Sequence, residues 1–213
     1  MGGVDAERAV EAVYRARGEW VADFGGEQFT LGRAFYTHLE TGRAREYFAD
    51  RAASDARVER WLPGLQERAR RLFAELAGGV ARARLGYCGP GVHVFPAGEV
   101  VARRGGIIHY DVEGLSPHHL AERSAALSFV LMLQPATWGG GLRVWDVSYH
   151  GTEAVSDEEE AAPHALVRYG VGDALLMSSY TMHQIRPFRG DRDRISVTLH
   201  AVQVDAGVWE TWF

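Results

Sequence analysis

The chain has 213 residues, 46% of them hydrophobic and 24% charged, with a formal net charge of -5; these values suit one globular domain. All 23 basic residues are arginine, which excludes lysine Schiff-base chemistry, a lysine-linked pyridoxal phosphate and a P-loop lysine. The one cysteine, Cys88, excludes an intramolecular disulfide and a cysteine-based zinc cage, and the acidic balance predicts no nucleic-acid partner.

The first part of the chain has a helical pattern. Apolar residues recur at helical spacing over 4–20, and a helical pattern is predicted to continue to about residue 84. Ser54 is interpreted as an N-cap, Pro63 as an interruption, and Gly78-Gly79 as a helix end. No signal-peptide run starts the chain and no segment of about 18 apolar residues occurs, so we expect a cytoplasmic protein without a membrane partner.

From about residue 91 the pattern changes to short strands separated by glycine and proline turns. The predicted strand regions are 92–114 (with turns at 96–98 and 104–106), 126–134, 142–147, 166–179, 183–188 and 194–204. Such spacing is typical of a sandwich or barrel. We predict a single α+β domain over 1–213, mainly β in its core. It has a helical support layer (1–88), a double-stranded β-helix or jelly roll (89–204), and a C-terminal tail packed on the body (205–213).

A polar insertion lies between two of these strands, at 148–163. Its centre is the acidic run 157–160. A solvated loop is the simpler interpretation, and a mobile lid near a binding site is the alternative.

His109-Tyr110-Asp111 is the central motif of the sequence. On a strand, residues two apart point to the same face, so an imidazole and a carboxylate could approach one metal from one side. A second histidine from a distant strand would complete a facial set of two histidines and one carboxylate, which leaves positions open for substrates. His38-Leu39-Glu40 has the same spacing, but it lies in the helical half, where its ends would point apart.

Downstream of His109-Tyr110-Asp111 the sequence reads His183-Gln184-Ile185-Arg186-Pro187-Phe188, then a short turn and Arg194-Ile195-Ser196. With these motifs the region 91–202 resembles the iron(II)/2-oxoglutarate oxygenase superfamily, which has a distal histidine, a Pro-containing strand and an Arg-x-Ser element in this order. The run SFVLMLQPATWGGGLRVWD resembles its strand, glycine turn and strand, and VGDALLMSSYTMH resembles the strand that leads to the distal histidine. Ile185 and Phe188 stand where valines are usual, and the turn is slightly long.

The resemblance implies both fold and chemistry. His109, Asp111 and His183 would hold Fe(II), while Arg194 and Ser196 would bind the distal carboxylate of 2-oxoglutarate; the long turn leaves Arg192 as a competitor. The family uses 2-oxoglutarate and O2 to form an iron(IV)-oxo species, releases succinate and CO2, and hydroxylates a C–H bond or performs a related oxidation. Ascorbate supports such activity in vitro.

The substrate is predicted to be a small molecule, such as an amino acid or a biosynthetic intermediate, and the protein a monomer or homodimer. Candidate substrate-binding residues are Arg104, Trp138, Arg143 and His118, for which surface exposure or core packing is the alternative. The remaining histidines are interpreted as structural or surface residues. Two other functions stay open at this point: a cupin-like metal enzyme that does not use 2-oxoglutarate, and a non-catalytic jelly-roll binding domain.

Overall fold

The computed structural model describes residues 3–213, with side chains from residue 5 onward. Over these residues it has eight α-helices: α1 Gly3–Arg15, α2 Phe35–Glu40, α3 Ala44–Ala49, α4 Arg51–Trp61, α5 Leu65–Ala77, α6 Val100–Arg104, α7 Pro117–Ala121 and α8 Asp157–Glu160. Short 3-10 turns lie at Arg17–Glu19 and Phe24–Gly26. Within this part of the chain, no helix is long and apolar enough to cross a membrane.

The strands are mostly antiparallel. They are β1 Val21–Asp23, β2 Gln28–Leu31, β3 Val80–Ala83, β4 Gly91–Phe95, β5 Ala126–Gln134, β6 Trp138–Gly139, β7 Leu142–Ser148, β8 His164–Val167, β9 Ala174–Ser178, β10 Thr181–Ile185, β11 Phe188–Arg189, β12 Arg194–Asp205 and β13 Val208–Trp212. A large sheet has the order β1-β2-β4-β12-β13-β3, with β5 joining β12 to β9. The smaller sheets are β10-β7-β8 and β11-β6. This mixed fold is consistent with a jelly roll.

The main core lies between the large sheet and three helices. Apolar residues of α1, α4 and α5 pack with buried residues of β4, β5 and β12. Phe73 of α5 is fully buried and meets Phe129 and Trp209 edge-on, at ring-centroid distances of 6.3 and 5.6 Å. Aromatic pairs favour this geometry because the positive ring edge faces the negative ring face.

The N-terminal part is less helical than the sequence predicts. β1, β2 and β3 all lie inside residues 1–88, and β2 pairs with β4 of the predicted β core. The prediction for Ser54 is also wrong: it lies inside α4, and its hydroxyl accepts a hydrogen bond from the Arg33 backbone N–H at 2.9 Å. These short strands gain their backbone partners from distant segments, which a local periodicity cannot reveal. Pro63 does separate α4 from α5, and Gly78 ends α5 with a φ of 74°.

In the second half, two predictions of local structure are wrong. Residues 100–104 form the helix α6, and the segment that carries His109 and Asp111 is irregular rather than a strand. Residues 205–213 contain a full strand, β13, which pairs with β12 and runs parallel to β3. The Phe213 carbonyl accepts from the Phe35 backbone N–H at 2.8 Å, so the chain end is tied to the N-terminal elements.

Candidate metal centre and cavity

A cavity of about 430 Å³ lies between the large sheet and the β10-β7 pair. Its floor is the inner face of β12, where Arg194, Ser196, Thr198 and His200 alternate along the strand. Every second side chain of a strand points to the same face, so β12 supplies a continuous row of four side chains to the cavity. His109, Asp111 and His183 line the same cavity.

The three predicted metal ligands meet although their segments are far apart in sequence. His109 Nε2 lies 3.5 Å from Asp111 Oδ1, and His183 Nε2 lies 3.4 Å from Asp111 Oδ2. One ligand atom from each residue falls within 4.8 Å of the others. Adjacent ligands at bonds of roughly 2.1 Å from an octahedral ion are roughly 3 Å apart, so small side-chain shifts would bring all three donors onto one ion.

Backbone pairing brings the two histidines together. His109 and His183 form an isolated antiparallel bridge, with N–H to carbonyl distances of 3.1 and 3.0 Å, and their ring centroids are 4.2 Å apart. The Asp111 N–H donates to the Ser179 carbonyl at 2.9 Å, which fixes the irregular segment at a second point. His109 and Asp111 therefore point to the same side of their segment, as predicted. The segment itself is irregular and is not the regular strand on which that prediction was based.

Both imidazoles are oriented by their second nitrogen. His109 Nδ1 lies 3.0 Å from the Ile107 carbonyl, and His183 Nδ1 lies 2.9 Å from the Thr181 carbonyl. A carbonyl only accepts, so each Nδ1 carries a proton, and Nε2 is the nitrogen that can coordinate a metal once the ring is neutral. This tautomer is the one that a metal ligand needs.

At the centre, burial and the neighbouring charges shift the pKa values of the ligands in opposite directions. Burial alone would raise the pKa of Asp111, but His183, His200 and His109 outweigh it and hold that pKa well below its ordinary value. Burial lowers the pKa of His183 to about 4, so this ring is neutral at pH 7. Burial also acts to lower the pKa of His109, but the hydrogen bond and charge of Asp111 raise it.

This donor set fits iron(II). Two imidazole nitrogens and one carboxylate are the facial ligands of non-heme iron(II) oxygenases, whose remaining positions stay open. A carboxylate that is ionised and a neutral His183 are already in the protonation states that metal binding requires. Only His109 would have to release a proton.

Arg194 is a buried cation with only neutral neighbours. Its side chain is 2% exposed; Nε donates to the Gly140 carbonyl at 3.1 Å and Nη1 to the Ser196 hydroxyl at 3.4 Å. The rings of Phe95 and Tyr169 lie 5.4 and 5.5 Å from its guanidinium carbon. Among the described residues no carboxylate pairs with it, so the cavity offers an unneutralised cation to an anionic ligand.

The competitor Arg192 lies elsewhere. It is exposed in the turn before β12 and is not among the described residues that line the cavity. The placement therefore favours Arg194 as the anion-binding residue.

Two further histidines line the cavity, and the sequence interpretation treated both as structural or surface residues. His200 Nδ1 lies 4.0 Å from Asp111 Oδ2 and 3.3 Å from the Ser128 hydroxyl. His93 faces Ser196 across β4 and β12, and burial lowers its pKa to about 3. His200 could have been found by extending the alternation 194, 196, 198 along β12, whereas His93 required the strand register.

The N-terminal elements supply a wall of the cavity that sequence reasoning missed. It is formed by Phe24, Glu27, Gln28, Tyr36 and Glu40. Gln28 Nε2 donates to the Tyr36 hydroxyl at 2.6 Å. These residues carry no recognisable motif, and their region was predicted to be helical, so no signal pointed to them.

Glu113 lies where this wall approaches the metal centre. It lines the cavity two residues after Asp111. Burial and then the charge of Asp111 raise its pKa, and burial raises that of Glu40.

The structure places the four candidate substrate residues outside the cavity. Arg104 and His118 are exposed at the ends of α6 and α7, and Trp138 is 72% exposed on β6. The guanidinium of Arg143 lies 5.3 Å from the Trp145 ring. None of the four is among the described residues that line the cavity, so these assignments are corrected. For Arg143 the physical reason is strand alternation, because its neighbour Leu142 on β7 lines the cavity and Arg143 points to the other face.

Several solved structures have a similar fold. A non-heme alpha-ketoglutarate-dependent carbocyclase, SnoK from nogalamycin biosynthesis, matches 96% of this chain and 77% of its own, at 15% identity and a TM-score of 0.56. An N-substituted L-amino acid dioxygenase from Burkholderia ambifaria, in complex with alpha-KG, matches 96% and 81%, at 16% identity and a TM-score of 0.58. AviO1 from Streptomyces viridochromogenes matches 97% and 87%, at 12% identity and a TM-score of 0.58.

No protein-family profile and no curated protein matches this sequence significantly. At such low identity the structural similarity concerns the fold alone. The chain therefore shares the fold of these non-heme alpha-ketoglutarate-dependent enzymes, as its sequence motifs predict.

Proposed function

We propose that this protein is an iron(II)- and 2-oxoglutarate-dependent dioxygenase that oxidises a C–H bond of a small molecule. The observation that carries the proposal is the meeting of His109, Asp111 and His183 in one cavity with the unneutralised Arg194. We take the fold to be a double-stranded β-helix, with helices of the N-terminal region behind the large sheet.

In this proposal the triad would hold the iron through His109 Nε2, His183 Nε2 and the Asp111 carboxylate. Bound iron(II) would supply the oxidising power, using O2 and 2-oxoglutarate to oxidise the substrate while succinate and CO2 leave. Because Asp111 occupies the carboxylate position, hydroxylation or a related oxidation is favoured over halogenation. His200 Nδ1 lies 4.0 Å from Asp111 Oδ2, beside the ligand carboxylate.

Arg194 and Ser196 would bind the distal carboxylate of 2-oxoglutarate. The planar guanidinium fork fits a carboxylate through two parallel hydrogen bonds, and a buried site makes them stronger than in water. Phe95 and Tyr169 flank the guanidinium, which limits its alternative positions.

Apolar side chains would keep the reaction away from bulk water. Val130, Leu142, Met177 and Ile185 line the cavity between the triad and the sheets. The cavity volume lies in the range of small-molecule sites, so we propose a small-molecule substrate and neither a nucleic-acid nor a membrane partner. A cytoplasmic location and a monomer or homodimer are part of the same proposal.

The test is succinate release from 2-oxoglutarate with iron(II) and ascorbate, screened over amino acids and related small acids and amines. Coupled succinate release and a product heavier by one oxygen atom would support the proposal. Metal-dependent turnover without 2-oxoglutarate would favour the cupin-like alternative. Metal binding with no turnover of any compound would favour a binding domain.

A further inference from the structure

Four rings form a continuous row along one wall of the cavity. We call them the ring row: Phe24, Tyr36, His93 and Phe95, all of which line the cavity. The centroids of neighbouring rings along this row lie 6.4, 5.7 and 5.7 Å apart. At one end the Phe95 ring lies 5.4 Å from the guanidinium carbon of Arg194, and at the other end Phe24 lies in the turn between β1 and β2. The row therefore runs from the proposed co-substrate site along the N-terminal wall.

His93 is a polar ring within this row that lacks a hydrogen-bond partner among the described residues. The residue is 5% exposed. Its Nδ1 atom is fully buried, whereas Nε2 has access to the cavity. Burial lowers the pKa of the ring to about 3, so the ring is neutral at pH 7. Buried polar groups in proteins normally have partners, so a ligand atom in the cavity is the missing partner of this ring.

The position of the proton on His93 decides the chemistry of that ligand atom. In a neutral imidazole one nitrogen carries the proton and the other has a lone pair. Buried N–H groups without an acceptor are rare in proteins, so we place the lone pair on the enclosed Nδ1 and the proton on Nε2. Nε2 is then a hydrogen-bond donor at the cavity surface, and it needs an acceptor atom from a ligand.

The backbone of Phe24 is strained at the far end of the ring row. Its φ of 49° lies in the left-handed region, and Gly25 and Gly26 follow with φ values of 70° and 93°. Left-handed backbone suits glycine or asparagine but costs free energy in a bulky aromatic residue. Such outliers cluster at ligand-binding sites, where the surrounding structure holds them. An aromatic residue at this position therefore indicates that its ring has a role in the cavity.

Aliphatic side chains line the cavity from the opposite sheet. Leu142 of β7 and Ile185 of β10 belong to the smaller sheet, whereas His93 and Phe95 belong to β4 of the large sheet. A slot with rings on one wall and branched aliphatic side chains on the other favours a flat ligand, because both faces of the ligand then make van der Waals contact. A polar group within an apolar slot fixes the orientation of such a ligand.

We infer that the substrate of this site is a flat, unsaturated ring compound that stacks on Phe24 and Tyr36 and presents an oxygen acceptor, such as a carbonyl, to His93 Nε2. The inference rests on the proposed function, because it assigns the space along the ring row to the substrate of the oxygenase. The three residues position the substrate and select it by shape and hydrogen bonding. They take no part in the oxidation itself.

Binding without turnover tests the inference. The protein is loaded with 2-oxoglutarate and with Zn(II), which is redox-inert and diamagnetic, and is titrated by NMR with three compounds. Acetophenone has a flat ring and a carbonyl, cyclohexyl methyl ketone has the same carbonyl on a saturated ring, and ethylbenzene has the flat ring without the oxygen. Acetophenone should bind about fivefold more tightly than either of the others. The ring nitrogen resonances of His93 should shift when acetophenone binds.

Variants locate the contacts. His93→Phe keeps a flat ring but removes the donor, so it should weaken acetophenone binding about fivefold and leave ethylbenzene binding unchanged. Phe24→Asn should weaken both aromatic ligands about fivefold, while the free energy of unfolding stays nearly constant because relief of strain offsets the lost ring contact. The matched control is Phe48→Asn, at a partly exposed ring on α3 outside the described cavity lining, which should leave all three affinities unchanged.

The co-substrate is the other source of an oxygen acceptor, and His93→Phe separates the two ligands. An unchanged Kd of 2-oxoglutarate in this variant, measured with Zn(II), would assign the donor to the substrate. A rise in that Kd of about tenfold with unchanged acetophenone affinity would assign it to the co-substrate and overturn the inference. Where His93→Phe does not fold, the response of the His93 nitrogen resonances to each ligand in the wild type makes the same distinction.

Three further results would overturn the inference: cyclohexyl methyl ketone binding as tightly as acetophenone, equal acetophenone affinity in the wild type and Phe24→Asn, or no acetophenone binding at millimolar concentration. Acetophenone binding without succinate release from any ring compound would contradict the oxygenase proposal and leave the binding site intact. Succinate release only with substrates that lack an unsaturated ring would do the reverse.

Discussion

The two ends of the cavity are built in opposite ways. At the metal end, His109, His183 and Arg194 each donate to a backbone carbonyl, and Asp111 sits among imidazoles. At the N-terminal wall, Phe24, Glu27, Gln28, Tyr36 and Glu40 come from short separate elements, and Gln28 Nε2 donates to the Tyr36 hydroxyl. The difference indicates a preorganised reaction centre joined to a wall that packing alone assembles. Changes at the two ends should therefore have separable effects.

Removal of the carboxylate ligand should have the largest effect. Asp111→Ala leaves two imidazoles for the ion, so we expect metal affinity and coupled turnover to fall by more than about a hundredfold, since even loss of outer-sphere partners costs 10–100-fold. Metal content after dialysis and succinate release measure the two effects. Asp146→Ala, at an exposed site on β7, is the matched control. Full activity of Asp111→Ala would refute the ligand assignment.

Replacement of the buried arginine should affect the co-substrate alone. Arg194→Lys keeps the charge but loses the planar fork, so the Kd of 2-oxoglutarate should rise at least about tenfold while metal affinity stays constant. Calorimetry of the Mn(II)-loaded protein measures both constants. The control is Arg192→Lys in the exposed turn, which should change neither. An effect of Arg192→Lys larger than that of Arg194→Lys would reverse the assignment.

The buried His93 should make the protein sensitive to acid. Burial lowers its folded pKa to about 3, whereas the unfolded ring titrates near 6.5. The unfolded state therefore takes up the proton first, and stability is lost as the pH falls from about 6.5 toward about 3.

His93→Gln removes this titration. Between pH 7.5 and 5.5 the wild type should lose about 1.4 kcal/mol more of its free energy of unfolding than the variant does. Urea unfolding at the two pH values measures this difference. Equal losses in the two proteins would show that the ring is not held neutral.

The smallest expected effect concerns the N-terminal wall. Tyr36→Phe keeps the ring but removes the 2.6 Å hydrogen bond from Gln28, which should lower the free energy of unfolding by about 1 kcal/mol. Metal affinity should not change. A fall in metal affinity comparable to that of Asp111→Ala would show that the two ends are not independent.

The metal end could be predicted because its residues form a recognisable pattern. His109, Asp111, His183, Arg194 and Ser196 were identified by spacing and by resemblance, and the strand regions around 126–134 and 194–204 by their apolar runs. The N-terminal wall of the cavity could not be predicted in this way. Short elements such as β1, β2 and α2 are stabilised by distant partners, and a local window contains too few residues to indicate them.

The sequence by itself determined the chemistry that is possible: it holds no lysine, one cysteine, and one His-x-Asp motif ahead of a distal histidine and an Arg-x-Ser element. Tertiary structure alone decided which residues share the cavity. It placed His93 opposite Ser196 through strand register, brought Glu40 and Glu113 to the same cavity, and left Arg104, Trp138, Arg143 and His118 outside that cavity. The physical reason is that ligand geometry follows from long-range backbone pairing and packing, whereas a motif records only neighbours along the chain.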